Sequence, residues 1–179
     1  MNSEGRCVFL VGFMGAGKTS VGRALGARLG WPFEDLDDRI RSRAGRSIEE
    51  IFRDAGEQEF RRVEHEALQE IVASGGSISR IIGLGGGAFV QPVNAALIQQ
   101  TEAITVFLDA PVEDLWRRCQ SDQIQRPLQK DAQQFMSLYD ERRPRYMMAT
   151  HCIQTSGKTI DGVAEEVAAL LKFNSTKEQ

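Results

Sequence analysis

Gly12-Phe13-Met14-Gly15-Ala16-Gly17-Lys18-Thr19 matches the spacing GxxxxGK[ST]. In that spacing the backbone N–H groups of a glycine-rich turn wrap phosphate oxygens, and the helix that follows points the positive end of its dipole at them. The context fits, because Cys7–Val11 reads as a short buried strand and Ser20–Leu29 as a helix. Gly15, Ala16, Gly17 and Ser20 would cradle the phosphates of a nucleoside triphosphate, Lys18 would reach the β- and γ-phosphates, and Thr19 would place its hydroxyl on Mg²⁺.

Asp35 and Asp37 come at the C-terminal end of a second expected strand, where open α/β sheets hold their ligands. In an extended chain residues i and i+2 face the same side, so both carboxylates are expected to point at the phosphate site. One carboxylate near Mg²⁺ and one near an acceptor hydroxyl suits phosphoryl transfer to an alcohol. The competing reading of this DLDD string is an N-cap and acidic first turn for the helix that follows. Gly85-Gly86-Gly87 follows a third expected strand, reads as serving no packing purpose, and lets the backbone approach a small ligand and offer it N–H groups, or else forms a flexible turn. The third strand ends on Gly85 where an acidic metal ligand is usual, which shifts metal binding to Asp35 with Thr19. Val106-Phe107-Leu108-Asp109 resembles such an acidic strand end, but it leads into Pro111, and Asp109 is read as a helix cap or loop residue. Arginines cluster at Arg61-Arg62, Arg117-Arg118, Arg126 and Arg142-Arg143-Pro144-Arg145. Guanidinium groups grip carboxylates and phosphates bidentately, although most surface arginines are simply solvated.

The elements that must position these groups alternate between apolar runs and amphipathic stretches, the pattern of an α/β fold with a parallel sheet covered by helices on both faces. Strands are expected at Cys7–Val11, Pro32–Asp35, Ile81–Leu84, Ile104–Leu108 and His151–Gln154. Helices are expected at Lys18–Leu29, Leu36–Ala44, Ser47–Asp54, Glu57–Ala73, Pro92–Gln99, Val112–Gln120, Asp131–Arg143 and Ile160–Lys172. Ser47 with Glu50 carries a capping-box signature. The helical segment 36–71 is longer than a simple crossover needs and suits a substrate-binding region. Residues 121–130, SDQIQRPLQK, are too hydrophilic for core and suit a mobile lid over phosphates. The polar stretch from 173 or 174 to 179 is expected to fray.

A chain of 179 residues fits one domain, 1–179, that buries about 70% of its unfolded surface without disulfides or structural metal. A net charge of −3 argues against a nucleic-acid footprint. Three cysteines without a CxxC pair suggest neither a disulfide framework nor a zinc site, and Cys7 and Cys152 read as core thiols. No apolar h-region and no run of ~18 apolar residues is seen, so no membrane partner and a cytoplasmic location are expected.

Taken together, the pattern resembles the shikimate kinase family over roughly Val8 to Thr155. The resemblance is carried by GFMGAGKT at Gly12–Thr19, Asp35 with Asp37, GRSIEEIF at Gly45–Phe52, GEQEFRRVE at Gly56–Glu64, GLGGGAF at Gly83–Phe89, RPL at Arg126–Leu128 and ERRPRY at Glu141–Tyr146. It implies a three-layer P-loop kinase fold with a five-stranded parallel sheet in the order 2-3-1-4-5, and a monomer that phosphorylates the 3-hydroxyl of shikimate with ATP and Mg²⁺ in chorismate and aromatic amino-acid biosynthesis. It further implies that Asp37 engages the shikimate hydroxyls and that Asp35 and Thr19 organise Mg²⁺. Arg61 and Arg142 hold the shikimate carboxylate, and Gly86, flanked by Gly85 and Gly87, gives it a backbone N–H. Arg126 closes with the lid over ATP, Arg118 or Arg117 stacks on adenine, and Glu64 orients Arg61. Lys18, Asp37 and Arg126 are the implied catalytic residues. Two departures stand out: Arg145 replaces an apolar residue of the family and either points to solvent or alters substrate affinity, and Met147-Met148 replaces a more polar pair and is expected to pack on the sheet. Other small-molecule P-loop kinases, for gluconate or nucleoside monophosphates, and a nucleotide-binding module without turnover are the competing readings. Phe60-Arg61, the triple glycine and Arg142 weigh against the first, and the presence of Lys18, Asp37 and Arg61 against the second.

Overall fold

The computed structural model describes residues 5–74, 78–101, 103–121 and 131–176. Five strands, β1 (Cys7–Val11), β2 (Phe33–Asp35), β3 (Arg80–Gly83), β4 (Ile104–Asp109) and β5 (His151–Gln154), form one parallel sheet in the order β2-β3-β1-β4-β5. The helices are α1 (Lys18–Leu29), α2 (Leu36–Ala44), α3 (Ile48–Ala73), α4 (Pro92–Gln99), α5 (Val112–Ser121), α6 (Ala132–Tyr146) and α7 (Ile160–Thr176). The central strands are almost wholly buried, which is why Val8-Phe9-Leu10-Val11 and Val106-Phe107-Leu108 read as continuous apolar runs rather than alternating ones. The chain leaves β1 for β2 and β3 on one side, then crosses to β4 on the other. The carboxyl end of β1 is therefore the point where strand order reverses, and an open α/β sheet holds its ligand at such a point.

Several local expectations change. The two helices expected at Ser47–Asp54 and Glu57–Ala73 run together as α3, interrupted at Gly56, where φ 79 and ψ 179 break the helical geometry. The capping box at its start is formed in both directions, with Glu50 N–H donating to Ser47 Oγ and Ser47 N–H to Glu50 Oε2. Helix α6 does not stop before Pro144 but continues through it to Tyr146. An internal proline costs about 3 kcal/mol in a lost hydrogen bond and a ring clash. Offsetting it, Tyr146 is fully buried, stacks 5.4 Å from the Phe107 ring and donates its hydroxyl to the Gly86 carbonyl. Helix α7 extends to Thr176, past the expected start of fraying. Its inner face, Val163, Ala164, Val167, Ala168 and Leu171, is buried, and each further residue adds a backbone bond to that packed base. Cys152 is exposed on the edge strand β5 rather than in the core, and Cys119 is the buried thiol. Met147 and Met148 lie past the end of α6 and are about half exposed rather than packed on the sheet. No helix among the described residues is long and apolar enough to cross a membrane.

Candidate active site

The loop 12–17 leaves β1 and ends as the N-cap of α1, at Gly17, with no side chain capping the helix. The first N–H groups of α1 are thus left for an external acceptor, and an anion is the partner such an end favours. The loop is wedged between its neighbours: Gly15 has φ +79, and a Cβ there would stand 2.8 Å from the Leu115 carbonyl oxygen and 2.9 Å from Cys119 Sγ. Phe13 anchors it from below, edge-on to Phe135 at 5.0 Å and to Tyr139 at 5.5 Å. Lys18 folds back on the loop, its Nζ donating to the carbonyls of Gly12 at 2.8 Å and Phe13 at 2.9 Å.

Thr19 Oγ1 donates to Asp35 Oδ2 at 2.7 Å, and Asp35 Oδ1 accepts the Asp37 N–H at 3.0 Å. Asp35 therefore ends β2, caps α2 and faces the loop at once. This corrects the reason given from sequence: Asp37 is in the first turn of α2, not in an extended chain, so the helix-cap reading of DLDD holds alongside the ligand-facing one. Both carboxylates still line the cleft. A hydroxyl and one carboxylate beside a phosphate loop are a donor set that fits Mg²⁺, which keeps several waters and takes few protein ligands plus phosphate oxygens. Among the described residues no three His, Cys, Asp or Glu converge as a self-sufficient metal cage, so a cation here would need those phosphate oxygens.

The cleft, about 1380 Å³, runs over residues 15–20, Asp35, Asp37, the exposed Phe52, Gly85, Gly86, Arg117, Arg118 and the loop after β5. Arg118 is tied down, Nη1 donating to the Gly15 carbonyl at 3.3 Å and to Thr155 Oγ1 at 3.2 Å. Arg117 is exposed and pairs with Asp114. Arg61, Gly87 and Arg142 do not line this cleft; Arg142 lies near Gly86 and Arg61 against Gly87, in the glycine loop whose first two residues do line it. Arg61 Nη1 donates to Glu64 Oε2 at 2.9 Å and Nη2 to Glu57 Oε1 at 3.2 Å, while the buried Nε has no partner among the described residues. Glu64 is only 1% exposed. Burial pushes its carboxyl above the usual range, and Arg61 and Arg142 pull it back only in part. Asp37 acts on the same carboxyl, so Asp37, Arg61, Glu64 and Arg142 form one electrostatic cluster.

The glycines do have a packing role, contrary to the sequence reading. A Cβ on Gly85 would lie 2.8 Å from Asp37 Oδ1, and one on Gly87 would lie 2.6 Å from Arg61 Nη1. Their missing side chains are what let the carboxylate and the guanidinium lie against the backbone. The loop is held by Ala88 N–H on the Gly85 carbonyl at 3.0 Å, by Asn94 Nδ2 on the Ala88 carbonyl at 3.0 Å and by Tyr146 on the Gly86 carbonyl. Asn94 and the hydroxyl of Tyr146 were not singled out from sequence. A polar Asn among Pro92-Val93 and Ala95-Ala96-Leu97 was the available signal for the first. Asp109 is likewise neither a cap nor a loop residue: it ends β4, is 2% exposed, and pairs with Arg143 at 2.7 Å. Arg145 is exposed and borders a separate groove of about 190 Å³ with Phe89, Pro92 and Met148, away from the cleft. Arg126 and the lid positions 122–130 lie outside the described residues.

A family model described as Shikimate kinase matches residues 14–172, most of the chain. The chain belongs to the shikimate kinase family. A shikimate kinase of Geobacter sulfurreducens is 40% identical over 173 residues, covering 95% of this chain and 93% of that protein. Among solved structures, the shikimate kinase from Acinetobacter baumannii in complex with shikimate superposes with a TM-score of 0.86 at 34% identity, covering 96% of each chain. Shikimate kinase from Aquifex aeolicus gives 0.82 at 32% identity, covering 94% of this chain and 98% of the other. The sheet order expected for a P-loop kinase fold is the one observed.

Proposed function

We propose that this shikimate kinase family member transfers the γ-phosphoryl group of ATP to the 3-hydroxyl of shikimate, giving shikimate 3-phosphate and ADP. The observation that carries this reading is the clustering of Asp37, Arg61, Glu64 and Arg142 against Gly85-Gly86-Gly87, a loop that borders the phosphate-loop cleft through Gly85 and Gly86. The loop N–H groups take the phosphates, and Lys18 exchanges the Gly12 and Phe13 carbonyls for β- and γ-phosphate oxygens. Thr19 and Asp35 would hold Mg²⁺, which when bound offsets charge on those oxygens. Arg61 and Arg142 grip the carboxylate of shikimate and the Gly86 N–H supports it, which turns the ring hydroxyls toward Asp37. The 3-hydroxyl oxygen bonds to the γ-phosphorus as the bond to the β-phosphate oxygen breaks, and the hydroxyl proton passes to the Asp37 carboxylate. Arg118, already fixed between Gly15 and Thr155, faces the nucleotide side and is the better placed of the two arginines to flank adenine. Arg126 would cover the phosphates from the lid.

In this account residues 1–179 act as one domain, with 36–71 forming the acceptor side, and the protein works as a cytoplasmic monomer. The position of transfer is tested by ³¹P NMR of the product, where the phosphorus must couple to the proton on C3. Coupling to another ring proton would overturn the assignment of the hydroxyl.

A further inference from the structure

Two arginines stand side by side near the end of α6, and the structure gives them different work. Neighbouring helical residues point about 100° apart. Arg142 faces the glycine loop, its Nη1 3.9 Å from where a Gly86 Cβ would stand, and its charge acts on the Tyr146 hydroxyl. Arg143 turns instead to the end of β4. Its Nη2 donates to Asp109 Oδ2 at 2.7 Å and its Nε to the Tyr139 hydroxyl at 3.1 Å. Tyr139 donates in turn to Asp109 Oδ1 at 3.1 Å, and Gln154 Nε2 donates to Asp109 Oδ2 at 3.0 Å. One buried carboxylate thus joins β4, β5 and α6, well satisfied, outside the cleft and outside the acceptor cluster.

We propose that Asp109 and Arg143 are positioning residues that set the rotation of α6 and so aim Arg142 at the anionic end of the acceptor. The inference rests on the acceptor reading above. Its lever arm is simple: side-chain tips lie ~6 Å from a helix axis, so a turn of ~10° about that axis carries the Arg142 guanidinium about 1 Å. A bidentate grip on a carboxylate does not survive such a shift unchanged. Tyr146, four residues after Arg142 on the same face, holds the other end of the arrangement on Gly86. Tyr139 links the same network to the phosphate loop through the Phe13 ring.

Arg143→Met alone would strand a buried charge, so the informative variant is the pair Asp109→Asn with Arg143→Met, which keeps an oxygen to accept from Tyr139 and, with the Gln154 amide turned over, an N–H for Gln154 to accept. Steady-state kinetics with purified wild type and variant, and a check of folding by circular dichroism, read the outcome. The expected result is a rise of about tenfold in the KM for shikimate, with the KM for ATP changed less than twofold. With the uncharged carboxamide of shikimate the difference between wild type and variant should vanish, and Arg143→Lys, which keeps the ion pair, should stay within about threefold of wild type. A folded variant with an unchanged KM for shikimate overturns the proposal, as do equal rises for shikimate, the carboxamide and ATP. Wild-type protein that leaves shikimate unphosphorylated would instead overturn the acceptor reading on which it rests.

Discussion

A methyl group at position 87 would strike the Arg61 guanidinium. The Cβ of Gly87→Ala would stand 2.6 Å from Nη1, 2.7 Å from Nη2 and 3.0 Å from Cζ. Ordinary contact begins near 3.5 Å, so the guanidinium has to retreat by about 1 Å. It is the tip of a flexible side chain, so the retreat should cost the fold less than about 1 kcal/mol. The backbone there is not in the left-handed region and accepts alanine. For the acceptor the same displacement matters far more, since a misplacement of ~1 Å in a positioning group costs up to ~10²-fold. The expected outcome is a ten- to hundredfold fall in kcat/KM for shikimate, or about 1.4–2.7 kcal/mol, with the KM for ATP unchanged. Coupled ADP release measures the first with shikimate varied at saturating ATP and the second with ATP varied at saturating shikimate, and thermal unfolding measures the cost to the fold. A folded variant whose kcat/KM for shikimate stays within twofold of wild type would refute the placement of Arg61 against the acceptor.

Three further outcomes follow from the geometry. Asp37→Asn keeps the volume and removes the proton acceptor, so turnover should drop by ~10²-fold or more while the unfolding temperature barely moves; near-normal turnover would reject the role of Asp37. Glu64 binds its proton more tightly in the folded protein than in the unfolded chain, where the value is near 4.5. Its contribution to stability is therefore greatest below that value and is lost as pH rises through the raised folded value. Chemical denaturation from about pH 4 to about pH 7 should show wild type losing stability relative to Glu64→Gln, and a difference that stays constant or moves the other way would contradict the burial argument. Ser47→Ala should cost about 1 kcal/mol in denaturant unfolding by removing one half of the capping box, leaving kcat unchanged. No loss of stability would show the cap to be dispensable.

How much was legible in the sequence depended on how far apart the partners lie along the chain. The phosphate loop, the capping box and the five strands are local patterns, in which spacing and residue type settle the geometry, and each is found within a residue of where it was read. The relation of Asp35 to Asp37 was read from the wrong backbone state, because a three-residue strand gives way to a helix between them and periodicity over so short a span does not separate the two. The contacts of Gly85 with Asp37 and of Gly87 with Arg61 join separate elements, so a run of glycines read as backbone opened to a small ligand, or as a flexible turn, with no packing role. Asp109 was misread for the same reason: its three partners come from α6 and β5, dozens of residues later. Pro144 suggested a helix end, and the burial of Tyr146 two residues on, which outweighs it, becomes visible only once β4 and the glycine loop are in place.

The central claim is that Asp37, Arg61 and Arg142 select shikimate, whose carboxylate and hydroxyls are fixed on one ring, over open-chain or phosphate-bearing acceptors. Its most direct test is ADP release by the purified protein with ATP and Mg²⁺, run in parallel with shikimate, gluconate and nucleoside monophosphates as acceptors. Turnover is expected with shikimate and only background hydrolysis with the others; gluconate or a nucleoside monophosphate turned over as well as shikimate would contradict that selectivity.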